Sequence, residues 1–274
     1  MKILIAVDME GVTGVVNWEQ VTPGQTEYER FRRLMTGDVN AAIGGAAAAG
    51  AVEFIVSDGH AANRNLLIEL LDPRARLNCG SPAPLSMVQG VDEPGVAAAL
   101  FIGYHARAGA QPAVLDHTWS LSVLNLWLNG QRVGEIGLNA AVCGHFGVPV
   151  ALISGDQTAA AEAVELLGQV EIAVVKQARG QQAADCLPPE AAQSRIFEAA
   201  QQAIARLQAG QAPNPFQFEP PITVTVEFTE SVLADRAALL PGSRRLKERR
   251  VEFVAADMLT AYRAFRTLAA LADG

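Results

Sequence analysis

The sequence predicts an α/β protein: a mostly parallel central sheet with helices on both faces, plus a smaller C-terminal α+β portion. Two observations carry this expectation. Short apolar runs alternate along the chain with longer amphipathic or alanine-rich stretches, the pattern of strand and helix units wound into a sheet covered on both sides. A charge-poor passage with four prolines, Gln211–Pro221, then separates those units from a tail of different rhythm.

Taken in order, Ile3–Val7 reads as a first and central strand, followed by a helix over Tyr28–Ala49. Val52–Val56 and Val96–Ile102 read as strands, with a helical pattern over Asn63–Leu71 between them, and Val148–Ile153 followed by Thr158–Leu167 repeats the unit. Leu121–Leu128, Asn129-Gly130 and Gln131–Gly134 read as an antiparallel hairpin, because Asn-Gly adopts the positive φ angles of a tight primed turn at low cost. The run Gly44–Gly50 lacks the Gly-Lys-Ser/Thr ending of a phosphate loop and is assigned to close helix packing. After the prolines come strands Ile222–Phe228 and Arg250–Val254 and a helix over Asp257–Leu271. The expected organisation is a metal-binding catalytic domain over 1–210 and a smaller α+β extension over 211–274, with no internal repeat.

Composition narrows the function. At 274 residues, half of them apolar, the chain can bury a substantial core, yet no apolar run reaches membrane-spanning length. A net charge of −8 opposes nucleic-acid binding, and the basic cluster Arg244–Arg250, interrupted by Leu246 and Glu248, reads as a solvated turn or strand edge. Three widely spaced cysteines, Cys79, Cys143 and Cys186, form no zinc knuckle or disulfide framework, so a cytoplasmic location is expected.

The candidate chemistry lies at strand ends. Asp8 and Glu10 follow the first apolar run, and residues two apart in extended chain point to the same side. Adjacent carboxylates repel unless a cation holds them. Such a pair alone is more often a cap or a solvated loop acid. The histidines change the balance: of four in the chain, His60 and His105 each directly follow a strand, and the carboxyl ends of parallel strands face a common crevice. Imidazole and carboxylate donors without thiolate suit zinc, and manganese, cobalt or iron accept the same set. Glu135 begins a helix pattern, where a helix dipole also favours an acid. His145 lies inside the same pattern and reads as structural; Asp156 reads as a helix cap. Asp58 and Asn139 are candidates to support the ligands from behind, while Tyr104 and Arg107 flank one and stand between substrate contact and packing.

Taken in order, Val7-Asp8-Met9-Glu10-Gly11, Ser57-Asp58-Gly59-His60, Gly103-Tyr104-His105-Ala106-Arg107, Leu115-Asp116-His117, Val133-Gly134-Glu135-Ile136-Gly137-Leu138-Asn139-Ala140 and Leu240-Pro241-Gly242 resemble the dinuclear zinc D-aminopeptidase family, bacterial enzymes associated with dipeptide-transport operons. The resemblance covers nearly the whole chain. It implies that Asp8, Glu10, His60, His105 and Glu135 hold two zinc ions per subunit, with Asp8 bridging, and that His117 is catalytic outside the metal shell, as a proton carrier or as a nucleophile. Five ligands with one bridging give three protein contacts per ion, the open coordination of catalytic zinc. It further implies hydrolysis of short peptides or amides with a free N-terminal amino acid, preferably of D configuration, and a homo-oligomer, with a decameric ring as one form. The competing expectations are a dinuclear phosphoesterase, whose Asp-x-His and Gly-Asn-His-Asp/Glu motifs are absent, and a non-catalytic metal- or peptide-binding protein, against which intact Glu135 and His117 argue.

Overall fold

A computed structural model describes all residues, 1–274. Strand β1 (Lys2–Val7) leads through helix α1 (Tyr28–Ala48) to β2 (Glu53–Asp58), β3 (Ala75–Asn78) and β4 (Val96–Ile102). The hairpin β5 (Val123–Leu128) and β6 (Gln131–Val133) precedes α2 (Glu135–His145), β7 (Val150–Asp156), α3 (Gln157–Leu167), β8 (Glu171–Gly180), β9 (Ala183–Cys186) and α4 (Pro189–Gln208). The chain closes with β10 (Ile222–Phe228), α5 (Ser231–Ala237), β11 (Ser243–Arg245), β12 (Arg250–Ala255) and α6 (Met258–Asp273).

Seven strands form one sheet in the order β3-β2-β1-β4-β7-β8-β9, parallel throughout except for β9. As expected, β1 is interior. Its residues Ile3–Val7 are all fully buried, and the pleat divides them between two cores: Ile3, Ile5 and Val7 pack toward α1 and α4, Leu4 and Ala6 toward α2 and α6. That is why the run is continuously apolar. From β1 the chain winds outward to β3 and returns on the other side of β1 as β4, which places a topological switch between β1 and β4. A crevice opens at such a switch, beyond the carboxyl ends of the strands.

The second sheet, β11-β12-β10-β5-β6, is antiparallel. Its β5–β6 hairpin turns at Asn129 and Gly130, both with positive φ as the Asn-Gly pair predicts. The hairpin pairs with β10 from the C-terminal segment, and residues of both sheets, such as Leu4 and Val224, share one core. The basic cluster is the β11–β12 hairpin, tied to acids: Arg244 to Glu252, Arg245 to Asp235, Arg250 to Glu227. No helix is long and apolar enough to cross a membrane.

One expected helix is absent. Over Asn63–Leu71 only a single 3-10 turn forms, at Ile68–Leu70. Asn63 is left-handed (φ 58°), and the Asp58 carboxylate takes the backbone N–H groups of Asn65 (2.5 Å) and Leu66 (2.8 Å), a side-chain alternative to helical bonding. The elements not read from the sequence, β3, β8, β9, α4, α5 and β11, lack long apolar runs. In α4 much of the buried face is alanine: Ala192, Ala199, Ala200 and Ala203.

Small residues let α1 and α4 approach closely, as the Gly44–Gly50 run suggests. A Cβ at Gly45 would lie 2.0 Å from the Phe197 carbonyl oxygen, so any side chain there forces the helices apart. Gly45→Ala should therefore lower stability by about 1–3 kcal/mol despite alanine's better helix propensity. The denaturant midpoint should fall in Gly45→Ala and stay near wild type in Gly180→Ala, where a Cβ meets nothing within 4 Å.

Candidate metal centre

The switch point gathers the candidate side chains. Asp8 prolongs β1, its N–H donating to the Ile102 carbonyl (2.9 Å), and the following turn is pressed against the end of β4 by a Gly11 N–H to Gly103 carbonyl bond of 2.8 Å. Gly103 is required there: its φ is +73°, and a Cβ would meet the Asp8 carbonyl oxygen at 2.3 Å. His60 follows β2, His105 follows β4, Glu135 opens α2, and His117 comes from the loop between β4 and β5.

All six sequence-predicted site residues meet in one volume. His60 Nδ1 lies 3.3 Å from Asp8 Oδ1 and 3.1 Å from Glu10 Oε2. His105 Nε2 lies 3.3 Å from Asp8 Oδ2 and 3.2 Å from Glu135 Oε1. His117 Nε2 stands 3.9 Å from Glu10 and 3.7 Å from Glu135, with its ring stacked on that of His105 at 4.0 Å between centroids. Asp8, Glu10, His60, His105 and Glu135 are buried.

Each imidazole is oriented by a backbone carbonyl. His60 Nε2 donates to Val21 O (2.8 Å), His105 Nδ1 to Ala106 O (3.0 Å) and His117 Nδ1 to Leu115 O (2.9 Å). In the neutral tautomer this leaves the opposite nitrogen's lone pair aimed at the carboxylates, where two acceptors would face each other without a hydrogen between them. Such outer hydrogen bonds are the usual means of aiming a histidine at a metal. Asp8 Oδ2, Glu10 Oε2 and His105 Nε2 are buried without a hydrogen-bond partner. Asp8, Glu10 and His105 present donor atoms within 4.8 Å of one another, as do His105, His117 and Glu135. Unpartnered buried oxygens and nitrogens with no thiolate among them fit a zinc-type cation.

Protonation in the metal-free chain follows the same geometry. Burial by itself would raise the Asp8 carboxyl, but the close approach of His105 and His60 and their charges outweigh it and hold it well below the usual carboxylate range. For His60 and His105 burial opposes the imidazolium, yet the carboxylates Glu10 and Asp8 around the first, and Glu135 and Asp8 around the second, raise both well above the ordinary value.

Lys176 was not singled out in the sequence, although a lysine directly after the apolar run Ile172–Val175 of β8 was the signal available. It is buried, and its ammonium donates to the carbonyls of Glu10 (2.6 Å), Val12 (3.0 Å) and Val15 (2.7 Å), gripping the loop that carries Glu10. Asp38 holds the same loop through the Thr13 N–H and hydroxyl. Burial pushes Lys176 down to about 8 and Asp38 up to about 6. Asp156 caps α3 at Thr158 and Ala159, as expected, and its other oxygen accepts from Val114 N (2.7 Å), securing the loop that leads to His117. Asp58 supports the His60 loop through Asn65, whose side chain also donates to His60 O, and Asn139 bonds the Tyr104 hydroxyl. Tyr104 is fully buried and Arg107 is paired with Glu162, so neither lines the cleft; His145 is exposed at the far end of α2. The cleft itself, about 330 Å³, is lined by Asp8, Glu10, His60, His117 and Glu135 together with Trp119 and Arg266.

The chain is similar to known proteins over nearly its whole length. The model of a peptidase family described as D-aminopeptidase matches residues 1–267. A D-aminopeptidase of Bacillus subtilis (strain 168) is 38% identical over 273 residues, 99% of this chain and 98% of the relative. A solved structure described as the Zn-dependent D-aminopeptidase DppA from Bacillus subtilis, a self-compartmentalizing protease, superposes with a TM-score of 0.96 at 38% identity, covering 100% of this chain and 98% of its own.

Two outcomes follow from the site's construction. Lys176→Met leaves three buried carbonyls without their donor, and should lower stability by about 2–4 kcal/mol and weaken zinc binding by about 10-fold or more as the Glu10 loop loosens; denaturant melts and zinc titration read the two effects separately. Zinc requires neutral imidazole, and His60 and His105 hold protons well above their ordinary pKa in the metal-free chain. Zinc uptake at neutral pH should release protons, and affinity should rise with pH until those raised pKa values are passed; calorimetry in buffers of different ionisation enthalpy counts the protons.

Proposed function

This chain belongs to the D-aminopeptidase family, and from that membership together with the geometry of its cleft we propose that Asp8, Glu10, His60, His105 and Glu135 would hold two zinc ions, with Asp8 placed between the two histidines, to serve the removal of an N-terminal D-amino acid from short peptides or amides. The family match displaces the phosphoesterase and non-catalytic alternatives. The observation that carries the ligand assignment is the set of carbonyl-oriented imidazoles facing buried, unpartnered carboxylate oxygens.

Bound zinc supplies Lewis acidity, which lowers the pKa of an attacking water and polarises the scissile carbonyl. The chain's own contribution is positioning and proton movement. His117 lines the cleft, its Nδ1–H is committed to Leu115 O, and Trp18 meets its ring edge-on at 5.4 Å. Nε2 is thereby the reactive atom, free to take a proton and return it to the leaving amine, or to attack the carbonyl itself. Glu135 is held by the Trp119 N–H (2.7 Å), which ties the acid at the start of α2 to the loop after His117.

The similar solved structure is described as self-compartmentalizing, which supports a homo-oligomer here, and we propose a decameric ring as its form. The three free cysteines support a cytoplasmic location.

Metal analysis should find two zinc ions per chain, and matched D- and L-aminoacyl amides should be cleaved with D preference, with chelator abolishing the activity. His117→Ala should lose turnover by about 10³-fold or more while retaining both ions. Zinc lost in that variant would instead make His117 a ligand, as its 3.7 Å approach to Glu135 geometrically permits.

A further inference from the structure

Arg266, on α6, is the one arginine or lysine among the residues lining the cleft. We propose that it is the carboxylate-binding group of the substrate site, selecting short peptides by their free C-terminus. This rests on the aminopeptidase reading above and adds a ligand contact within the same cleft.

The guanidinium is held before any substrate arrives. Its Nη1 donates to the carbonyls of Ala83 and Pro84, each at 2.9 Å. Its carbon lies 5.5 Å from the Tyr262 ring centroid and 5.9 Å from that of Trp119. Tyr262 is itself buried, and its hydroxyl donates to the Leu85 carbonyl (3.3 Å), so α6 and the 83–85 segment fix the arginine together. Two carbonyls use the hydrogens of Nη1. The Nε–H and the Nη2 hydrogens have no acceptor in the chain, and Arg266 forms no ion pair within it. That remaining edge is the parallel pair of donors that matches a carboxylate bidentately.

The other cations near the site are engaged elsewhere. Lys176 is spent on three carbonyls, Arg107 on Glu162, and Arg132 donates to Ala108 O. Trp119 links the two ends of the cleft, since its backbone N–H holds Glu135 while its ring lies beside Arg266. A cleft of about 330 Å³, lined both by the metal-centre residues and by Arg266, suits a dipeptide-sized ligand. A longer peptide would place a neutral amide, not a carboxylate, opposite Arg266.

The test compares D-alanyl-D-alanine with its C-terminal carboxamide on zinc-loaded wild type, Arg266→Gln and Arg266→Lys. Wild type should prefer the free carboxylate. Arg266→Gln should lose about 10- to 100-fold in kcat/KM on the carboxylate, chiefly through KM, and keep the carboxamide within about 3-fold; Arg266→Lys should fall between. Equal losses on both compounds, or none on either, would overturn the assignment, the first because it marks a structural role. Equilibrium binding of the two compounds separates this site from the peptidase reading. If wild type turns over neither compound yet binds the carboxylate better, and Arg266→Gln erases that difference, the subsite stands and the peptidase reading fails; binding indifferent to the carboxylate overturns the subsite.

Discussion

Three carboxylates and three imidazoles packed into one buried volume are the constraint around which the rest of this protein is arranged. Asp8, Glu10 and Glu135 cannot share that space as bare anions without strong mutual repulsion, and the imidazoles beside them cannot satisfy them in the neutral tautomer their backbone contacts favour. Protons resolve the conflict in the metal-free chain, and in the assignment proposed above a divalent cation takes their place. The fold has to hold this unfavourable arrangement still in both states.

It does so with groups that are themselves buried and committed. The parallel sheet brings β1, β2 and β4 to a shared edge, and the return of the chain across β1 opens the crevice there. Lys176 and Asp38 fasten the loop after Asp8, Asp58 and Asn65 fasten the loop after His60, and Asp156 fastens the approach to His117. Each uses a charge or amide to bind backbone, which is a strong contact inside a low-dielectric interior. These side chains never need to touch substrate for the centre to depend on them.

The second sheet and α6 have a different part. They share a core with one face of the first sheet, and through that core they bring Arg266 and Tyr262 against the 83–85 segment. The cleft is thus lined by carboxylates and imidazoles from strand ends and the start of α2 and by Arg266 from a helix at the end of the chain. The chain belongs to the D-aminopeptidase family, and the proposed zinc ligands all lie in the first of these groups. Arg266, in the role proposed for it, supplies the means to discriminate among ligands of one reaction class.

Much of this was legible before folding. The continuous apolar run Ile3–Val7 announces a doubly covered strand, Asn129-Gly130 announces its turn, and Asp8, Glu10, His60, His105, His117 and Glu135 occur in motifs specific enough to name their family. Local chemistry determines those features: periodicity, turn preference and donor type belong to neighbouring residues. What only the tertiary structure decided was partnership across long separations. The Asn63–Leu71 pattern yields to Asp58, Lys176 acquires its three carbonyls about 160 residues upstream, and Arg266 acquires its place beside Trp119 from the packing of α6. A lysine or arginine in isolation carries no mark of the carbonyls it will meet, because its energy of burial is set by partners that arrive only when the chain has closed on itself.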